Sequence, residues 1–104
     1  MSEWSMTCES DSSGTHHVVS LAGELDVATV PALRAFLLSL HGDVDVDCAG
    51  LTFIDSAGIG VFAAYHKALR DSGRQLRLRN VNHGCYRILE MAGLTGLLDI
   101  QQSA

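Results

Sequence analysis

The chain has 104 residues, of which 47% are hydrophobic and 18% charged, which fits one domain with its own core and argues against a disordered chain. Seven Lys and Arg residues against twelve Asp and Glu residues give a net charge of −5, which argues against binding to nucleic acid or to anionic lipid. We therefore expect the chain to bind a protein or a small ligand.

Alternating apolar and polar side chains predict a β-hairpin in the first quarter of the chain. Residues 4–8 and 17–21 both follow the two-residue period of a strand that is buried on one side. The cluster Ser10–Gly14 between them contains the small and polar residues typical of a turn. We expect these two strands to pair with each other.

The period of 3.6 residues that marks an amphipathic helix appears three times. The first helix begins at Thr29, which we expect to cap it, and its apolar stripe continues to Leu40 before Gly42 ends it. The second helix spans Ala57–Ser72, and the third follows Asn82, which we expect to be its N-cap.

Short strands are predicted between these helices. Residues 44–48 and 76–78 alternate again, the link Ala49–Asp55 leads into the second helix, and Leu97–Ile100 is expected to be a short last strand. The resulting order, β-β-α-β-α-β-α-β, predicts an α/β fold in which helices cover a mixed sheet.

Cysteine spacing and the start of the chain predict a cytoplasmic protein. Cys8, Cys48 and Cys85 form no CxxC pair, and each falls at an apolar position, which favours buried, reduced thiols over a redox switch between two of them. The first residues lack the basic start and apolar stretch of a signal peptide, and no apolar run approaches the roughly 18 residues of a membrane span.

Motifs of catalysis, metal binding and cofactor binding are incomplete in this sequence. Residues 43–47 resemble the start of a calcium loop, but its sixth and twelfth positions hold Cys48 and Ile54 instead of Gly and Glu. The histidines at 16–17 have no acidic or cysteine partner at ligand spacing, and Ser56 lacks the glycines that frame a hydrolase nucleophile. We expect no enzymatic activity, no metal and no cofactor.

One segment, Leu51–Gly60, carries most of the functional information. Its apolar residues are expected to anchor the chain at the edge of the sheet: Leu51, Phe53 and Ile54. Asp55 and Ser56 follow at the start of the second helix, where either side chain can accept hydrogen bonds from free N–H groups of the first turn.

Two glycines, Gly58 and Gly60, weaken the first turns of this helix by up to about 1 kcal/mol each relative to Ala. Such a pattern fits a capping serine with close helix–sheet packing. It also fits a bare backbone that a partner approaches, with Ser56 as a phosphorylation site. A phosphate there would be tolerated by the helix N-terminus and repelled by Asp55, and by Asp26 if the fold brings that residue close.

Three motifs in this chain resemble the STAS domain of bacterial anti-sigma factor antagonists. They are Gly23-Glu-Leu-Asp26 after the second strand, Phe53-Ile-Asp-Ser-Ala-Gly-Ile-Gly60 at the start of the second helix, and Met91-Ala-Gly-Leu94 at the end of the third. They lie in family order at family spacing, and the resemblance covers almost the whole chain. It implies a single STAS domain over residues 1–104, with residues 1–3 and 101–104 loose.

Members of this family bind an anti-sigma factor that is also an ATP-dependent serine kinase, and the binding frees a sigma factor. The kinase phosphorylates the serine of the Asp-Ser motif and so breaks the complex, and a serine phosphatase restores it. The resemblance implies that Ser56 is the phosphoacceptor, with Asp55 and Asp26 beside it. Gly58, Ile59 and Gly60 would belong to the surface that faces the partner.

Departures from the family pattern and two other roles of STAS domains leave alternatives open. Ala57 stands where the family often has a second hydroxyl, so Ser56 is the only local acceptor. Only Gln101–Ala104 follow the last predicted strand, so a terminal helix is expected to be short or absent. The alternatives are a STAS subunit of a lipid-transport ATP-binding complex, with Ser56 as a structural residue, and a component of a stress-sensing assembly. We expect a monomer without nucleic-acid or membrane contact.

Overall fold

Five strands and three helices follow one another in the predicted order in the computed structural model, which describes residues 3–103. The strands are β1 Ser5–Ser10, β2 His16–Leu25, β3 Asp43–Ile54, β4 Leu76–Val81 and β5 Asp99–Gln102. The helices are α1 Val30–Leu38, α2 Ser56–Asp71 and α3 His83–Met91, with a 3-10 turn, Leu94–Gly96, before β5. The α/β fold with a mixed sheet is confirmed.

The strands lie side by side in chain order, β1-β2-β3-β4-β5, in one sheet. β1 and β2 form the predicted antiparallel hairpin, and the other neighbours are parallel. Parallel strands laid down in one direction with right-handed crossovers place all their helices on the same face of the sheet. Burial along β2 shows that one face of the sheet is covered more than the other. Val19 and Leu21 are buried, whereas the alternate residues Ser20 and Ala22 are half-buried.

A single apolar core fills the space between the sheet and the three helices. Its fully buried side chains come from every layer: Val19, Val44, Val46, Leu76 and Leu78 from the sheet, and Leu33, Leu37, Phe62, Leu69 and Leu89 from the helices. The sequence predicted this arrangement because the buried residues are the apolar ones that repeat every two residues in the strands and every 3.6 residues in the helices. None of the helices in residues 3–103 combines the length and apolar character that a membrane crossing requires.

The predicted link over residues 49–55 is wrong for most of its length, because β3 continues to Ile54. β2 and β3 remain paired as far as Leu25 and Ile54, but their register shifts twice along the way. Each shift adds residues to one strand and interrupts the alternation of side chains. This interruption hid the second half of β3 from a search for a two-residue period.

α1 ends at Leu38, which corrects the prediction that it continues to Gly42. Gly42 is needed for a different reason: its φ is +98°, and a Cβ there would lie 2.0 Å from the carbonyl oxygen of Thr15. Thr29 is the N-cap residue as predicted, but its side chain makes no bond to the helix. Its hydroxyl donates to the Glu24 carbonyl oxygen at 2.8 Å instead.

The last strand lies two residues later than predicted and includes Gln101 and Gln102, which were expected to be loose. It pairs in parallel with β4, and beyond it the Ser103 N–H donates to the Val81 carbonyl oxygen at 2.9 Å. Residues 1, 2 and 104 lie outside the described residues. The predicted cap of α3 is confirmed, since the Asn82 side chain accepts from the Cys85 N–H at 2.9 Å.

Candidate functional site

The residues of the candidate site meet where two neighbouring parallel strands end. Leu25 and Ile54 are the last paired residues of β2 and β3, and the Asp55 N–H donates to the Leu25 carbonyl oxygen at 3.2 Å. Asp26 and Asp55 directly follow Leu25 and Ile54, so both lie at the same edge of the sheet. The carboxyl edge of parallel strands is the usual place for ligand sites in α/β folds.

Asp55 is the N-cap of α2. Its backbone is extended, and its Oδ1 accepts from the N–H groups of Ala57 at 2.9 Å and Gly58 at 3.2 Å. A carboxylate in this position satisfies two N–H groups that the helix cannot pair itself and also interacts favourably with the helix dipole. From the sequence, either Asp55 or Ser56 could cap the helix; in the structure the capping residue is Asp55.

Ser56 is the first residue of α2 and is exposed. No hydrogen bond between the described residues uses its hydroxyl, because Asp55 already occupies the capping position. The Ser56 hydroxyl therefore lies at a fixed position of the backbone and is free of hydrogen bonds to the described residues. An exposed nucleophilic oxygen at a helix start, where N–H groups and the dipole favour negative charge, is able to carry an anionic group.

The two glycines of the first turns lie in different surroundings. Gly58 is buried, and a Cβ on it would lie 2.7 Å from Ile54 Cγ1 and 2.9 Å from Leu25 Cγ. Gly60 is exposed, and a Cβ there would meet nothing within 4 Å. Of the three residues expected to face a partner, Gly58 lies beneath the surface and seats α2 on the ends of β2 and β3. Ile59 is half-buried and packs against the core.

Asp26 is half-buried and holds the turn between β2 and α1. Its Oδ1 accepts from the N–H groups of Ala28 at 3.0 Å and Thr29 at 3.2 Å. The carboxylate thus acts first within its own turn, where it pairs two N–H groups that precede α1. The register of β2 and β3 nevertheless brings its backbone to the edge that also carries Asp55.

Two exposed apolar side chains lie at the same edge. Val27 follows Asp26 and is 76% exposed, and Phe53, which was expected to anchor the chain at the edge of the sheet, is 43% exposed. Phe53 pairs with Glu24, which is exposed too. Exposed apolar side chains gathered at one edge and rimmed by polar ones form a candidate protein-binding surface. Sequence reasoning missed Val27, whose only signal was an apolar residue inside a polar turn.

Comparison with known proteins matches most of this chain. The family model described as Mlab, STAS domain matches residues 8–99. The anti-sigma-B factor antagonist of Bacillus subtilis (strain 168) is 33% identical over 85 residues, which cover 79% of this chain and 78% of the relative. This chain belongs to the STAS-domain family of anti-sigma factor antagonists.

Solved structures with the same fold as this STAS domain include the anti-sigma factor antagonist SpoIIAA in two forms. The unphosphorylated form has a TM-score of 0.74 at 19% identity, covering 96% of this chain and 89% of SpoIIAA. The phosphorylated form from Bacillus has a TM-score of 0.72 at 21% identity, covering 92% and 90%.

The cysteines of this STAS domain are all free, and two of them are buried. Burial raises the pKa of the Cys48 thiol to about 12, and burial also raises the pKa of Cys85. Both therefore remain protonated and poorly reactive at neutral pH, since the thiolate is the nucleophile. Cys8 is half-buried. Within residues 3–103, no three His, Cys, Asp or Glu side chains are grouped as metal ligands would be.

Proposed function

We propose that this STAS domain is an anti-sigma factor antagonist whose unphosphorylated form binds an anti-sigma factor and releases the sigma factor held by it. The observation that carries the proposal is the exposed Ser56 hydroxyl, which is not required by the fold because Asp55 caps α2. The printed name of the Bacillus subtilis relative supports the same class of partner.

In this proposal the anti-sigma factor is also a serine kinase that modifies Ser56. The Ser56 oxygen forms a bond to the γ-phosphorus of ATP, the bond from that phosphorus to the ADP oxygen breaks, and the hydroxyl proton is released to solvent. A serine phosphatase reverses the modification by hydrolysis. The phosphate adds about −1.5 to −2 charges at pH 7.

The position of Ser56 explains how such a charge would alter binding while leaving the fold intact. The N-terminus of α2 favours an anion, and no hydrogen bond of the described fold is lost when the hydroxyl is modified. Asp55 and Asp26 already make the edge acidic, so the added charge is repelled at close range and alters the surface that the partner meets. The existence of SpoIIAA in both forms supports a switch of this kind.

The surface proposed to contact the anti-sigma factor surrounds Ser56. It comprises the exposed backbone at Gly60, the half-buried Ile59 and the apolar side chains of Val27 and Phe53. Gly58 supports this surface from below by keeping α2 close to the strand ends. The domain acts by binding, as a cytoplasmic monomer, without a direct contact to nucleic acid or membrane.

An alternative role in a lipid-transport ATP-binding complex would use Ser56 as a structural helix cap. Asp55 occupies that place in this chain, and the Ser56 side chain makes no bond to the helix. This geometry favours the partner-switching role over the transporter role. A component of a larger stress-sensing assembly is the remaining alternative, and the proteins bound to the domain distinguish it.

A pull-down from the native cytosol, followed by mass spectrometry, tests the proposal. Ser56→Ala is the bait, Ser56→Glu is its charged counterpart, and Ser12→Glu is the matched control, since Ser12 is exposed in the turn at the opposite end of the sheet. We expect an ATPase with serine kinase activity to be retained by Ser56→Ala and Ser12→Glu and lost with Ser56→Glu. A transporter ATPase held equally by all three baits would contradict the proposal.

A further inference from the structure

A recessed surface lies between α1 and α2, away from Ser56. A cavity of about 110 Å³ opens there, walled by Leu37 and Leu38 of α1 and by Val61, Ala64, Tyr65 and Ala68 of α2. Since a helix rises about 1.5 Å per residue, these α2 residues lie about 8–18 Å from Ser56 along the helix axis. The cavity is therefore separate from the surface proposed to contact the anti-sigma factor.

The packing of the two helices explains why this cavity stays open. Ala64 and Ala68 are small residues one turn apart, so α2 does not fill the space beside α1. The Tyr65 hydroxyl donates to the Leu37 carbonyl oxygen at 2.9 Å and fixes the distance between the helices. An apolar cavity of about 150 Å³ binds benzene, so a cavity of the present size suits one aliphatic side chain.

Leu38 makes the rim of the cavity apolar. Its side chain is 66% exposed, although burying a leucine fully is worth about 1.5–3 kcal/mol. A partner could therefore contact the exposed Leu38 side chain and insert an apolar side chain into the adjacent cavity. Interfaces draw most of their affinity from such buried apolar anchors in well-fitting pockets.

Arg34 provides the charge of this surface. It is the only charged residue that lines the cavity, and it forms no ion pair with a carboxylate of residues 3–103. Lys67 and Arg70 lie on the same pair of helices and both approach Asp71, at 3.2 and 3.9 Å. α1 and α2 together thus carry three cations and one carboxylate, although the chain as a whole has a net charge of −5.

We propose that the cavity between α1 and α2 is a docking site for an acidic segment of a second protein. The segment inserts one aliphatic side chain between the helices and places a carboxylate on the Arg34 guanidinium, which is suited to bidentate pairing. The complementary charge selects an acidic partner even though the rest of this chain repels one. This interaction does not depend on the role of Ser56.

A peptide display library tests the proposal. Random peptides are first depleted on the Leu38→Asp variant and then selected on the wild-type domain. We expect retained peptides to carry Asp or Glu next to one Leu, Ile, Val or Met. In amide chemical-shift mapping they should perturb residues 34–38 and 61–68. They should bind Ser56→Glu as well as wild type, which separates this site from the proposed function.

A charge-reversal cycle supplies the decisive measurement. Arg34→Glu should weaken the selected peptides about tenfold or more, because hydrogen bonds to charged groups are strong. Replacing the peptide acid by Lys should restore binding to Arg34→Glu. Arg87→Glu, an exposed arginine on α3, is the matched control and should leave the affinity unchanged. Circular dichroism confirms that each variant is folded.

Several outcomes would overturn the proposal: no peptide retained on the wild type, retained peptides without acidic residues, shifts confined to other residues, or no restoration by charge reversal. Dodecanoate serves as a separate probe. If it shifts the cavity amides while no acidic peptide does, the cavity is a small-molecule site and the proposed protein docking is wrong.

Discussion

Asp55 and Ser56 are neighbours at the start of α2, yet only Asp55 bonds to the helix. The carboxylate holds the Ala57 and Gly58 N–H groups, and the adjacent hydroxyl remains free. This division of tasks allows Ser56 to be modified while the helix keeps its cap. It also means that the stability of the domain and its proposed regulation depend on different side chains.

Substitution of each residue separates these tasks. Asp55→Ala removes the cap and should lower the free energy of unfolding by about 1 kcal/mol, whereas Ser56→Ala should change it by less than about 0.5 kcal/mol. Urea denaturation followed by circular dichroism measures both values. A larger loss for Ser56→Ala than for Asp55→Ala would show that the serine is the structural residue.

Asp26 combines a structural and a proposed functional role. Asp26→Asn keeps an oxygen that can accept from Ala28 and Thr29 but removes the charge at the sheet edge. We expect a folded protein whose phosphorylation at Ser56 by the anti-sigma kinase is reduced, because the kinase meets a less acidic surface. Unchanged phosphorylation, followed by phosphate incorporation, would remove Asp26 from the site.

α2 contains a matched pair of glycines that tests how the helix is seated. Gly58→Ala places a methyl group within 3 Å of Ile54 and Leu25 and should destabilise the domain by about 1–3 kcal/mol. Gly60→Ala meets open space and should stabilise it by up to about 1 kcal/mol through helix propensity. Thermal unfolding of the two variants gives the comparison, and shifts of Tm in the same direction would contradict this account of the packing.

Element boundaries were predictable where one side-chain period continued without interruption. The hairpin and the three helices followed from such patterns, and Asn82 identified the start of α3 correctly. The second half of β3 was missed because the register shifts against β2 broke the period. Gly42 was misread as a helix stop because its close approach to Thr15 is a contact between distant segments.

The face of the sheet opposite the helices carries a buried carboxylate on β3 that pairs with two arginines of β4. Asp45 on β3 is buried and accepts from Arg77 Nε at 2.8 Å and Arg79 Nη1 at 3.2 Å, both on β4. His16 Nε2 on β2 lies 3.5 Å away. The hydrogen bond to Asp45 raises the pKa of Arg77, so its guanidinium remains charged. β3 and β4 are thus joined on this face by two ion pairs.

Removal of this carboxylate should affect the whole sheet. Asp45→Ala should lower the free energy of unfolding by about 1–3 kcal/mol, because it deletes two charge-assisted hydrogen bonds from a buried acceptor. Asp71→Ala, which removes an exposed pair with Lys67, should change it by less than about 1 kcal/mol. Equal effects of the two variants in denaturant titrations would contradict the structural role of Asp45.

The site could be predicted from the sequence in part. The Asp-Ser pair and the glycines identified the start of α2, but the closeness of Asp26 depends on the pairing of Leu25 with Ile54. The exposure of Phe53 and the cavity beside Leu38 depend on how elements pack in three dimensions. Local sequence patterns show neither which strand residues pair nor how the elements pack against one another.

The most direct test of the proposed switch is the affinity of one anti-sigma factor for two forms of this domain. Isothermal titration calorimetry would compare the unmodified protein with protein phosphorylated at Ser56, whose modification is verified by mass spectrometry. The account predicts tight binding by the unmodified form and a loss of at least about tenfold on phosphorylation, which corresponds to about 1.4 kcal/mol. Equal affinities for the two forms would contradict it.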